Sequence, residues 1–147
     1  MSQKVKIYTD GACFNNPGPG GWAAVLICEE QYKEINGAVQ NTTNQQMELL
    51  AAIKGLETLK EPQGKVEIYS DSAYLVNAFQ QGWLDSWKAK AWKKSSGSLS
   101  NKFLWIWLDD LRQQYDLKLI KVKGHSGNQW NEKCDQLAKE AAAEISG

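Results

Sequence analysis

Apolar and polar positions alternate near the start of the chain, Val5, Ile7 and Thr9 against Lys6, Tyr8 and Asp10. That period predicts a strand. After the turn-rich stretch GACFNNPGPGG at 11–21, the run from Trp22 to Cys28 is apolar throughout and predicts a strand covered on both faces. CEEQ then turns the chain into a third strand around Tyr32–Val39, and connections this short imply an antiparallel meander. From Asn41 the period changes. Thr43 with Gln46 fits a capping box, and Leu49, Ala52, Ile53, Leu56 and Leu59 fall on one helical face. EPQG ends that helix, and Lys65–Asp71 alternates as a fourth strand, parallel to a neighbour because a helix precedes it. A short helix over Ser72–Gln81 follows, then a lysine- and tryptophan-rich segment. Next comes a helix over Asn101–Tyr115 carrying Leu104, Trp107, Leu108 and Leu111. LKLIKVK at 117–123 is a fifth strand. Beyond the polar loop GHSGNQW, a last helix places Cys134, Leu137, Ala138, Ala141 and Ile145 on one face.

Composition adds limits. The 147 residues, 42% hydrophobic and 23% charged, suit one soluble domain with a real core. No apolar run approaches the ~20 residues of a membrane helix, and no signal peptide opens the chain. Cys13, Cys28 and Cys134 are odd in number and lack zinc-ligand spacing, so a reducing cytoplasmic setting is expected, with the thiols as packing groups. The formal charge of zero announces no global field for a polyanion. A local one exists at 83–102, where Lys88, Lys90, Lys93, Lys94 and Lys102 face only Asp85, with Trp83, Trp87 and Trp92 between them.

The candidate chemistry lies in an echo: IYTDG at 7–11 and IYSDS at 68–72. Each runs a strand into an aspartate. If the two strands pair in parallel, Asp10 and Asp71 both stand at C-terminal strand ends, the edge at which open α/β sheets bind ligands. Glu48 sits four residues before inward Ala52. Asp135 follows inward Cys134, with Glu132, Lys139 and Glu140 expected to face away. Four acids from four elements could line one crevice. A lone strand-end aspartate is more often a cap or turn former. Clustered carboxylates raise one another's pKa values, however, and a fold tolerates that when cations neutralise them. Oxygen-only ligands favour Mg²⁺ or Mn²⁺, and two such ions can drive phosphodiester hydrolysis.

Over nearly its whole length the chain resembles bacterial ribonuclease H type 1. The motifs that carry the resemblance are YTDGAC with NPGPGGW, TTNQQMELLAAI, YSDSAYLVNA, GWLDSWKAKAWK, VKGHSG and NEKCDQLA. The resemblance implies the ribonuclease H-like α/β fold, a five-stranded mixed sheet of order 3-2-1-4-5 flanked by helices. It implies one domain over 1–147 with a basic handle about 83–102. It also implies endonucleolytic hydrolysis of the RNA strand of RNA–DNA hybrids with two Mg²⁺ ions, Mn²⁺ being a possible substitute, leaving 3′-hydroxyl and 5′-phosphate ends. Asp10 matches the carboxylate shared by both ions. Asp135 matches the ligand beside the attacking water, and Glu48 and Asp71 match those beside the leaving 3′ oxygen. His125, the only histidine, matches a mobile-loop residue that aids proton transfer or product departure.

The same resemblance assigns Gly11, Cys13, Asn16 and Asn44 to the minor groove, where 2′-hydroxyls distinguish RNA. Their alternative is ordinary turn and capping chemistry. Thr43 is assigned a DNA phosphate at a helix N-terminus. Trp83, Lys88, Lys90, Lys93 and Lys94 are assigned the handle's grip on the hybrid, against the alternative of a solvated face. Three positions depart from the family pattern: Gln45 and Gln46 where Asn and Arg are frequent, and Ala73 in place of a Gln. Weaker binding with intact chemistry is the expectation. No obligate protein partner is expected, and a monomer is. The rivals are a DNA-cutting nuclease on the same architecture, a binding-only module, and a sugar-kinase-like phosphotransferase, which would need a second lobe.

Overall fold

A computed structural model describes residues 4–59, 65–93, 99–123 and 128–146. In chain order it forms β1 (Lys4–Cys13), β2 (Gly18–Cys28), β3 (Gln31–Thr42), α1 (Asn44–Glu57), β4 (Lys65–Ser70), α2 (Ala73–Gln80), α3 (Trp83–Ala89), α4 (Lys102–Arg112), β5 (Asp116–Lys121) and α5 (Gln129–Ser146). The sheet order is β3-β2-β1-β4-β5, as expected. β1, β2 and β3 pair antiparallel, while β1–β4 and β4–β5 are parallel. The echoed phrases lie side by side in register, Ile7 opposite Ile68 and Tyr8 opposite Tyr69. The two tyrosine rings stack with centroids 4.6 Å apart.

The alternation of the strands divides the core in two. Val5, Ile7, Ala24, Leu26, Val66 and Ile68 face α1, α2 and α4; Tyr8, Ala23 and Val25 face α5. On α1, Leu49, Ala52, Ile53 and Leu56 are fully buried, and Leu59, just past the helix, still packs on that core. The Thr43 hydroxyl oxygen accepts from the Gln46 backbone N–H at 3.2 Å. The Gln46 side chain instead accepts from the Thr42 hydroxyl (2.7 Å), so the reciprocal half of the predicted box is absent.

Two expectations about helix faces change. On α4 the inward tryptophan is Trp105, fully buried, whereas Trp107 lies on the surface. The Trp105 indole N–H donates to the Tyr74 hydroxyl at 2.9 Å, which satisfies the one polar atom that burial would orphan. On α5, Ala142 takes the inward place at the C-terminal end and Ile145 is half-exposed. The lysine- and tryptophan-rich segment, to which the sequence pattern assigns no element, opens with α3. Gly82, at φ +73°, ends α2 and starts α3. At the far end of α3, Trp92 N–H bonds Trp87 O and Ala91 N–H bonds Lys88 O. This is a Schellman motif in which alanine, at φ +54°, occupies the place glycine normally takes. Among the described residues no helix is long and apolar enough to cross a membrane.

Candidate active site

β1 does not end at Asp10. It continues to Cys13 against β2, with Asp10 opposite Ala23. What ends near Asp10 is the parallel ladder, whose last rung is Tyr8–Tyr69. Asp10 and Asp71 each stand two residues beyond that rung, so the two carboxylates lie just past the point where β1 and β4 part. The Gly11 N–H donates to Asp10 Oδ1 at 2.9 Å and fixes the side chain.

Two close backbone approaches bring in the other acids. A Cβ on Gly11 would lie 2.6 Å from the backbone of Met47 and Glu48, so the missing side chain lets the first turns of α1 press against β1. Glu48 then lies near Ser72, whose hydroxyl favours the ionised carboxylate. Ser72 is buried and also caps α2, accepting from Leu75 N–H at 3.1 Å. On the opposite face, a Cβ on Gly21 would lie 2.0 Å from Ala138 O, which leaves α5 seated directly on β2. The Cys134 thiol donates to Tyr8 O at 3.2 Å and sets the rotation of α5. Asp135 is thereby brought close enough to Asp10 for its charge to act on that carboxyl.

The electrostatics follow from this crowding. Burial, then the Asp71 charge, push the Asp10 carboxyl up to about 8; Asp135 adds to the effect and the Gly11 N–H opposes it. Near neutral pH the Asp10 carboxyl therefore favours its protonated form. Burial also raises Glu48, partly offset by the Ser72 hydroxyl, with the Asp71 charge raising it further. Asn131, one helical turn before Asp135, is buried, and its Oδ1 finds no partner among the described residues. No three His, Cys, Asp or Glu side chains among the described residues already enclose a point where an ion would sit. Even so, an oxygen-only donor set held in mutual repulsion beside an unsatisfied carbonyl oxygen is chemically suited to a hard divalent cation.

The other predicted residues fall into two groups. Around the N-terminus of α1, Asn16 Oδ1 accepts from the Asn44 N–H at 3.0 Å and Thr43 is the N-cap. The Cys13 thiol donates toward Thr42 O (3.3 Å) and Gly18 O (3.5 Å), tying this loop to the end of β3. On the α3 side, Trp83 packs against Trp87, which packs against Trp105. Lys90 and Lys93 are exposed, whereas Lys88 is paired with Asp109 at 3.3 Å. His125 and Lys94 lie outside the described residues.

Sequence reasoning missed several contributors. Lys139, expected to face away, pairs with Asp135 at 3.0 Å because an i,i+4 spacing puts both on one helical face. Asn101 accepts from the Gln46 side chain (3.2 Å) and donates to Tyr74 (3.2 Å), which places it beside the α1 N-terminus. Ser72 could have been found as a cap preceding an apolar helix, but its service to Glu48 is purely tertiary.

The family profile described as RNase H matches residues 2–143. A curated "Ribonuclease H" of Syntrophomonas wolfei is 51% identical over 140 residues, covering 95% of this chain and 96% of that one. Among solved structures, LC9-RNase H1, described as a type 1 RNase H with the type 2 active-site motif, superposes with a TM-score of 0.88. It is 25% identical, over 98% of this chain and 74% of that one. LC11-RNase H1, solved in complex with an RNA/DNA hybrid, gives 0.76 at 23% identity, over 97% and 99%.

Proposed function

The chain belongs to the ribonuclease H family, and from that premise we propose that it hydrolyses the RNA strand of RNA–DNA hybrids with two bound Mg²⁺ ions. The products would carry 3′-hydroxyl and 5′-phosphate ends. The observation that carries this reading is buried Asp10, wedged between Asp71 and Asp135, with its carboxyl displaced up to about 8. Asp10 would be shared by both ions, Asp135 would complete one shell, and Glu48 and Asp71 the other. When bound, the ions supply Lewis-acid charge that activates a water and neutralises the departing oxygen.

The protein's own groups do the rest. The Gly11 N–H holds Asp10 in place and the Ser72 hydroxyl favours the ionised form of Glu48, so little reorganisation is needed when substrate arrives. Asn16 has its Oδ1 committed to Asn44, which leaves its amide N–H groups to donate to a 2′-hydroxyl or base edge; Gly11 and Cys13 flank it. Thr43 and Asn44, at the positive end of α1, suit a DNA phosphate, and Asn101 and Gln46 frame the same spot. Trp83, Lys90, Lys93 and Lys94 would meet the sugar–phosphate backbone beyond it. His125 would carry a proton to or from the leaving oxygen.

One assay separates this reading from its rivals. The protein is incubated with labelled hybrid, duplex RNA and duplex DNA, each with Mg²⁺ or with EDTA. Cleavage of the hybrid's RNA strand alone, dependent on Mg²⁺, is expected. Cutting of duplex DNA with the hybrid intact, or binding without cutting, would overturn the proposal.

A further inference from the structure

Lys88 has a different employment from its neighbours. It belongs to a closed set of four charges that joins α3 to α4. Asp109, at 2% exposure, is the centre. Its Oδ1 accepts from Arg112 Nε at 2.7 Å, and its Oδ2 accepts from Lys88 Nζ at 3.3 Å and Gln113 Nε2 at 3.2 Å. Arg112 reaches back to α3 through Asp85 Oδ1 at 2.6 Å. Two cations and two anions cancel, so this end of α3 offers no net charge to a phosphate. Beside them a cleft of about 480 Å³ opens between α3 and the start of β5, lined by Phe79, Tyr115 and Leu117 as well as the charged groups. Buried Leu84 roots α3 in the core, but on the side of this cleft apolar contact is interrupted. There the ion pairs bridge α3 to α4, while Trp87 against Trp105 packs its other side.

We propose that the Asp109-centred clasp is a positioning device that sets the angle of α3, and that Lys88 serves it rather than binding a hybrid phosphate. Lys90 and Lys93, which follow α3 and have no acidic partner among the described residues, are the phosphate-binding lysines that the clasp aims. The inference rests on the reading that this lysine-rich element meets the hybrid. Arg112 is divided between Asp109 and Asp85, so Lys88 is needed to balance the second charge of the set and stays on buried Asp109 when a phosphate approaches. Asp109 itself touches no substrate and acts through the helix it anchors.

Phosphate contacts and positioning contacts differ in one measurable way: only the former release counterions. The full chain and its Lys88→Met, Lys88→Arg, Asp109→Asn, Lys90→Met and Lys93→Met variants are compared for KM, kcat and the slope of log affinity against log salt on hybrid. Lys88→Met and Asp109→Asn should each raise KM about three- to tenfold, with kcat within about twofold and the salt slope unchanged. Lys88→Arg should restore KM, and the Lys88→Met/Asp109→Asn double variant should be no worse than either single change. Lys90→Met should flatten the slope by about one. A slope that flattens equally for Lys88→Met, or a double variant whose losses add, overturns the clasp. Should Asp109→Asn not fold, half-exposed Lys88 still decides the matter through its slope. If Lys90→Met and Lys93→Met alter neither affinity nor slope, the lysine-rich element does not meet the hybrid and both readings fall.

Discussion

Asp10→Asn tests the crowding of the carboxylates directly. The change keeps the shape and the acceptor for the Gly11 N–H but removes the charge. In the folded protein the Asp10 carboxyl lies at about 8 against an ordinary 3.8. The unfolded chain thus sheds this proton near pH 4, while the native state keeps it until about pH 8. Stability must fall as pH rises through that window, because the unfolded state binds fewer protons there. At about 1.4 kcal/mol per pH unit, the ceiling at pH 7 is about 4 kcal/mol. Allowing for relaxation of the neighbouring acids, the D10N protein should be more stable by about 2–4 kcal/mol, or roughly 5–10 °C in melting temperature. The measurement is a thermal or denaturant melt in EDTA at pH 4, 6 and 8. The gain should be near zero at pH 4 and grow upward. Adding Mg²⁺ should raise the wild type's melting temperature and narrow the gap, since only its cluster binds the ion well. Hydrolysis should be lost while hybrid affinity is kept. A D10N protein no more stable than wild type at pH 8, or one whose gain is already full at pH 4, would refute the account of a crowded site.

Three further perturbations probe how the site is built. Gly21→Ala should cost about 1–3 kcal/mol or more of stability and lower kcat, because its Cβ would meet Ala138 O and push α5, with Asp135, away from Asp10; a melt and a saturating-substrate assay check both. Ala91→Gly should stabilise by about 1 kcal/mol, because the Schellman position at φ +54° disfavours a side chain; chemical denaturation measures it. Thr43→Ala should cost about 1 kcal/mol through loss of the α1 cap and weaken hybrid binding with kcat kept, which titration at fixed salt can follow.

The sequence by itself determined the kinds and order of the elements, because hydrophobic patterning is local: period two for β1 and β4, an unbroken apolar run for β2, and 3.6 for α1 and α5. It also made β4 parallel to a neighbour, since a helix precedes it, while β1 as that neighbour came from the family resemblance; and it placed acids at the rims of buried faces. It could not choose Trp105 over Trp107, since the partners that take Trp105 inward, Tyr74 and Trp87, come from other elements. Nor could it show that Ser72 serves Glu48, that Lys139 shares a face with Asp135, or that Lys88 is drawn to Asp109. Those facts were decided by tertiary structure: the register of β1 on β4, the backbone approach at Gly11, and the seating of α5 over Gly21. A carboxylate's charge state depends on what lies within a few ångströms of it, and those neighbours come from segments far apart in the chain.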